Sequence, residues 1–301
     1  MARAYWPLLL LLSAVWGASY LFIKVAVEEI DPATSMAGRL LVATAILHVF
    51  LFATRGVRRS LNELREAWRP GLVLGVCNAA LPFTLIAWGE QHVDSGVAAI
   101  ANASVPIFNA LIVFRLFPEE RVAGVRLVGV VLGLVGVGVL SGIHPEGDSL
   151  AVVGTLAVVL ASLFYAASGV YGQLRVASVA GPVLATASTF WGAIVLLPLA
   201  VWRAPHDVPG WKAIGSVLAL AIAGTAFAQL ILFRMLRLYG AARLSLVTYL
   251  LPVTALFYGA LLLDERITVS MLGGLALILG GVALGSGAVR LPRRAAMAQA
   301  P

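Results

Sequence analysis

Ser13, Trp16, Gly17, Tyr20 and Lys24 follow one another at intervals of 3, 1, 3 and 4 residues inside one apolar run. That spacing places them on one helical face. Asn102, Pro106 and Asn109 recur at 4 and 3, and Thr248, Pro252 and Ala255 repeat the same rhythm. Asn78, Pro82, Thr84 and Trp88 punctuate a third run, and Thr225 and Gln229 another. Polar groups are costly in hydrocarbon, so each is a candidate for a water-filled or ligand-filled interior. Amides and hydroxyls beside aromatic faces suit a small amphipathic solute: the rings cover its apolar part and the amides orient its polar end. Trp16, Tyr20, Asn78, Trp88, Asn102, Gln229 and Thr248 are the expected binding residues. Catalysis is a poor fit. The five aspartates (Asp31, Asp94, Asp148, Asp207, Asp264) all stand at ends of apolar runs, and no His-Glu-x-x-His or Walker loop occurs. His48, His92, His144 and His206 are scattered and Cys77 is the single cysteine, so neither a metal centre nor a cofactor is expected.

The elements that must carry these residues follow from composition. The chain has 301 residues, of which 61% are hydrophobic and 12% charged. Soluble chains carry about 25% charge, and a water-facing globule cannot be covered with half of that. The chain reads as an all-α membrane protein. Runs of roughly 20 apolar residues, enough for a bilayer core, predict ten transmembrane helices at about 5–27, 34–54, 71–92, 95–117, 123–141, 150–173, 182–202, 211–237, 241–263 and 268–289. The first run continues into Lys24 without a small-residue cleavage site, and is read as an uncleaved span.

Charge predicts the orientation. With both termini cytoplasmic, 16 of the 21 basic residues lie inside, as the positive-inside rule requires. The net charge of +7 is thereby a topology signal, and no nucleic-acid partner is needed. The expected partners are the lipid bilayer and a small-molecule substrate.

Charged residues within the runs have plain and functional readings. Lys24 and Arg39 would snorkel or pair with Glu28, Glu29 or Asp31; functionally they would attract a substrate carboxylate at the outer mouth. Glu90 would pair with Arg39 or reach headgroup water; functionally it would gain and lose a proton, making the proton the coupling ion. Single Asn, Ser and Thr residues also serve as hydrogen-bond glue between helices.

The chain repeats itself. Pro106 and Leu116-Phe117-Pro118-Glu119-Glu120-Arg121 echo Pro252 and Leu262-Leu263-Asp264-Glu265-Arg266. From Glu120 to Gly129 and Gly136 the gaps are 9 and 7, and from Glu265 to Gly274 and Gly281 they are again 9 and 7. Ser13, Trp16, Tyr20 and Lys24 correspond to Ser162, Tyr165, Gly169 and Gln173 at an offset of 149. Five spans per half would make the second half insert upside down, the inverted repeat on which many secondary transporters are built. Pro106 and Pro252 are then candidate hinges, and Glu120 and Glu265 candidate gate anchors. The expected units are residues 1–141 and 142–289, followed by a basic cytoplasmic tail, 290–301.

These residues resemble a family. Trp16-Gly17, the Pro…Glu-Arg close of the fourth span, and the stretch 82–106 with Ala87-Trp88-Gly89-Glu90-Gln91 and Ser95-Gly96-Val97-Ala98-Ala99-Ile100 are similar to the paired EamA domains of the drug/metabolite transporter superfamily. The resemblance covers roughly residues 7–287. It implies a ten-helix inner-membrane transporter, often an exporter of amino acids or other small metabolites. Tyr165-Ala166 stands where the first half has Trp-Gly, so the two gates should not be identical. The expectation is a secondary transporter working by alternating access; an intramembrane enzyme, or a passive channel or sensor, is the alternative.

Overall fold

The computed structural model describes residues 5–116, 125–140, 149–176, 178–244 and 246–285. Helix α1 spans Tyr5–Ala26 and α2 Pro32–Arg55. Asp31 starts α2 by accepting from the Ala33 amide (2.9 Å), with Pro32 at the first helical position, where a missing N–H costs nothing. Gly56, at φ 81°, ends it in a conformation that a side chain would strain. The short α3, Val57–Glu66, is the polar exception: Arg55 at the end of α2 ties it back through Glu63 at 2.8 Å, and Arg59 of α3 itself pairs with the same carboxylate at 2.9 Å.

Further along lie α4 (Trp68–Glu90), α5 (Ser95–Leu116), α6 (Val125–Leu140), α7 (Ser149–Arg175), α8 (Gly181–Trp202), α9 (Trp211–Tyr239), α10 (Leu246–Leu262) and α11 (Val269–Gly285). Among the described residues, seven helices are long and apolar enough to cross a membrane, and α6, α10 and α11 are shorter apolar helices. The chain is an all-helical, multi-pass membrane protein.

Two helices carry wide turns at matching places: α4 is π-helical over Gly75–Ala80 and α9 over Leu220–Phe227. Such turns frequently mark functional sites. The run expected at 95–117 is interrupted: α5 leaves regular helix at Ala103 and Ser104, between Asn102 and Val105. The run expected at 241–263 forms a short turn, Ala241–Leu244, ahead of α10.

The packing pairs elements across the two halves. Helix α2 lies on α8 and α6 on α11; α1 packs on α10 and α9, while α7 packs on α5 and α4. Small residues permit these approaches. Gly75 and Gly192, for example, face each other at the α4–α8 contact with no room for a Cβ on either.

Candidate functional site

Asn102 stands where α5 loses its regularity, and the cause lies four residues later. Pro106 has no N–H to offer the Asn102 carbonyl, and the Ser162 hydroxyl of α7 stands 3.4 Å from that oxygen. The side chain is held on both sides. Its Nδ2 donates to Tyr20 Oη of α1 (2.7 Å), and its Oδ1 lies 3.0 Å from Ser162 Oγ. Asn78, within the wide turn of α4, is anchored in the same way, with its Oδ1 accepting from Ser168 Oγ of α7 at 2.9 Å. Among the described residues no hydrogen bond holds its two amide donors. Pro252 in α10 likewise deprives the Thr248 carbonyl of its helical donor.

These residues surround one cavity of about 330 Å³. Of the expected binding residues, Trp16, Tyr20, Asn78, Asn102, Gln229 and Thr248 line it. Trp88 does not; its ring packs edge-on against His92 at 4.6 Å, towards the end of α4. Thr225, grouped with Gln229 by its spacing, lines it too, and the cavity adds residues that periodicity did not single out for it: Ser19, Arg39, Phe83 and Tyr165. Trp16 and Tyr165, equivalent in the two halves by sequence offset, both contribute. Polar groups thus enter from α1, α2, α4, α5, α7, α9 and α10, so both halves of the chain build the wall.

Arg39 brings charge to that wall. It is 4% exposed, and its Nε donates to Thr225 Oγ1 at 2.8 Å. The guanidinium carbon lies 4.0 Å from the centre of the Phe83 ring, a cation–π distance. The expected pairing of Lys24 and Arg39 with Glu28, Glu29 or Asp31 does not occur among the described residues. Lys24 Nζ donates to the carbonyls of Glu90 (2.6 Å) and Val93 (2.8 Å). Glu29 accepts from the Gly210 amide, and Asp31 caps its own helix.

Glu90 is fully buried, with neither carboxylate oxygen hydrogen-bonded among the described residues. It meets neither Arg39 in a hydrogen bond nor solvent, contrary to the plain expectation; instead it lies within the field of Lys24, Glu265 and Arg39. Glu265 sits at the same end of the bundle. Its carboxylate accepts from Ser95 N (2.8 Å), Ser95 Oγ (2.9 Å) and Gly96 N (3.2 Å), at the start of α5. Partial burial, and after it the field of Glu265, raises the Asp94 carboxyl above its ordinary value. Glu120 lies outside the described residues. No group of three or more metal-ligating side chains occurs among the described residues.

Comparison with known proteins decides the family. The EamA-like transporter family model matches residues 4–142 and again 152–286. The chain belongs to the EamA-like transporter family. Among curated relatives of this EamA protein, the uncharacterized inner membrane transporter YedA of Escherichia coli (strain K12) is 30% identical over 84% of this chain and 81% of its own. A protein named "probable amino-acid metabolite efflux pump", also from Escherichia coli (strain K12), is 26% identical over 94% of both chains. The uncharacterized transporter YoaV of Bacillus subtilis (strain 168) is 26% identical over 89% and 91%. A solved crystal structure superposes with a TM-score of 0.65 at 19% identity, covering 94% of this chain and 96% of that one, a likeness of fold. The chain is therefore a transporter of the drug/metabolite type, a family that implies a small-molecule substrate and the lipid bilayer.

Proposed function

We propose that this EamA protein is a secondary transporter of the inner membrane that exports a small metabolite, such as an amino acid, by alternating access. The observation that carries the reading is the cavity whose polar wall comes from both halves of the chain. A relative named as an efflux pump agrees with it. Trp16, Tyr20, Asn78, Asn102, Gln229 and Thr248 form the substrate site, with Trp88 outside it.

The ten apolar helices are read as two inverted five-helix repeats, residues 1–141 and 142–289, with both termini cytoplasmic. The cross-half pairing supports this. An in-plane two-fold axis carries α2 onto α8 and α6 onto α11, each with its own counterpart, and exchanges the α1–α10 contact with the α7–α5 contact. The wide turns of α4 and α9 are counterparts in the same operation. Reporter fusions at Gly56 and after Arg294 test the orientation: both should score cytoplasmic.

Pro106 and Pro252 act as hinges, because each leaves a carbonyl without its helical donor and weakens its helix there. Glu265, and Glu120 by sequence equivalence, anchor the gates. Glu90 is the proton carrier, since a buried carboxyl without hydrogen-bond partners can be held neutral in one state and charged in another. Purified protein in proteoliposomes, challenged with amino acids and metabolites with and without a pH gradient, tests the reading. Uphill flux driven by the gradient is expected; flux of no solute, or flux indifferent to every ion gradient, overturns it.

A further inference from the structure

Among the described residues, Arg39 is a cation with spare donors and no partner anion. A guanidinium carries five N–H groups and does not deprotonate in proteins. Its Nε is spent on Thr225. One terminal nitrogen lies 3.5 Å from the Gly224 carbonyl, and the other has the Met36 sulfur, at 4.0 Å. The ion pairs among the described residues are those of Arg55 and Arg59 with Glu63, far along the chain from this site. The acids at the near end of the bundle are engaged elsewhere or, like Glu90, make no hydrogen bond there.

The guanidinium is nevertheless built in. Thr225 lies in the wide turn of α9, and its hydroxyl donates to the Leu220 carbonyl five residues back. With its hydrogen used, Thr225 Oγ1 can only accept from Arg39. Phe83 supports the plane from one face. Burying an unpaired charge is costly unless something compensates it, and here Arg39 lines a cavity with Trp16, Tyr20 and Tyr165 in its wall.

We propose that Arg39 is an anion subsite, and that the cavity's substrate is a small amphipathic carboxylate, amino acids included. The carboxylate takes the two terminal nitrogens in the forked geometry that guanidinium favours, and the aromatic wall covers the apolar body. This rests on the cavity being the transport site.

The test uses the purified full chain in lipid nanodiscs, with 3-phenylpropanoate and its neutral amide, 3-phenylpropanamide, as matched probes read by calorimetry. The carboxylate should bind about tenfold tighter or more, the scale of one charge-assisted contact. Arg39→Met should abolish that preference while leaving amide binding unchanged, and Arg39→Lys should keep part of it. If Arg39→Met does not fold, Thr225→Val decides: loss of the anchor should weaken the carboxylate several-fold and spare the amide. Equal binding of the two probes, no binding of the carboxylate, or a variant that loses both alike overturns the proposal. Flux assays separate the two readings. Solute flux without carboxylate preference sinks the subsite alone; Arg39-dependent binding without flux sinks transport and leaves the subsite standing.

Discussion

Gly281 of α11 lies so close to Gly129 of α6 that a Cβ on Gly281 would stand 2.5 Å from the Gly129 carbonyl oxygen. On the same seam, a Cβ on Gly274 would stand 3.1 Å from the Gly136 carbonyl. These are the four glycines at the shared gaps of 9 and 7. Equating Gly129 with Gly274 and Gly136 with Gly281 turns the first contact into the second. The spacing that echoes in the sequence is the spacing at which two helix backbones touch.

Gly281→Ala should therefore destabilise the protein by about 1–3 kcal/mol, the usual cost of overpacking. Its neighbour Gly280 has nothing within 4 Å of the place a methyl would occupy, so Gly280→Ala should be neutral or slightly stabilising. Thermal melts in detergent compare the pair, and equal melting temperatures would refute the seam.

Asn102→Ala should lower transport by about tenfold or more while leaving the fold standing. It removes the amide that joins Tyr20 to Ser162, a bridge whose two hydrogen bonds are worth about 1 kcal/mol each to stability. Trp16→Ala should act in the same direction through lost aromatic cover. Proteoliposome flux beside detergent melts separates the two effects; normal transport by both variants would make these positions glue.

Glu265→Ala should cost about 1–2 kcal/mol, because it strips the side-chain acceptor from the first amides of α5. Glu265→Gln, which keeps an acceptor oxygen, should lose less. Hydrogen exchange at Ser95 and Gly96 reads the loss directly, and unchanged protection in Glu265→Ala would refute the cap.

Glu63 gives a pH dependence outside the membrane. The Arg59 hydrogen bond, with Arg55 beside it, holds its carboxyl below the ordinary value. A depressed native pKa contributes stability above the unfolded value, about 4.3, and loses it as pH falls through the native one. Wild type should exceed Glu63→Gln at pH 7 and match it in strong acid. Melts across that range check the sign; a gap that widens on acidification would contradict it.

Much of this was legible in the sequence, for physical reasons. Hydrocarbon forces every backbone group into a helix, so apolar run length found the elements, and α-helical spacing grouped Trp16 with Tyr20 and Asn102 with Pro106. Phe83 escaped because it follows Asn78 by five residues. Five residues misalign on an α-helix, yet the wide turn of α4 brings both to the cavity wall. Arg39 was visible in both its readings, and only the ion pair fails, since sequence offers carboxylates nearby and cannot reveal that Asp31 and Glu29 are engaged with backbone amides. Trp88 shares a span with Asn78, but it stands ten residues on, off the cavity and against His92.

Among the described residues, four of the five bonds made by Lys24 and Glu265 at their end of the bundle end on backbone atoms: the carbonyls of Glu90 and Val93 and the amides of Ser95 and Gly96. Backbone atoms survive almost any codon change. Drift along the α4–α5 connection therefore leaves this fastening intact, and its genetic vulnerability collapses onto two codons. A random-mutagenesis screen for leaky alleles should return substitutions at Lys24 and Glu265 well ahead of those at Val93, which offers only its backbone carbonyl.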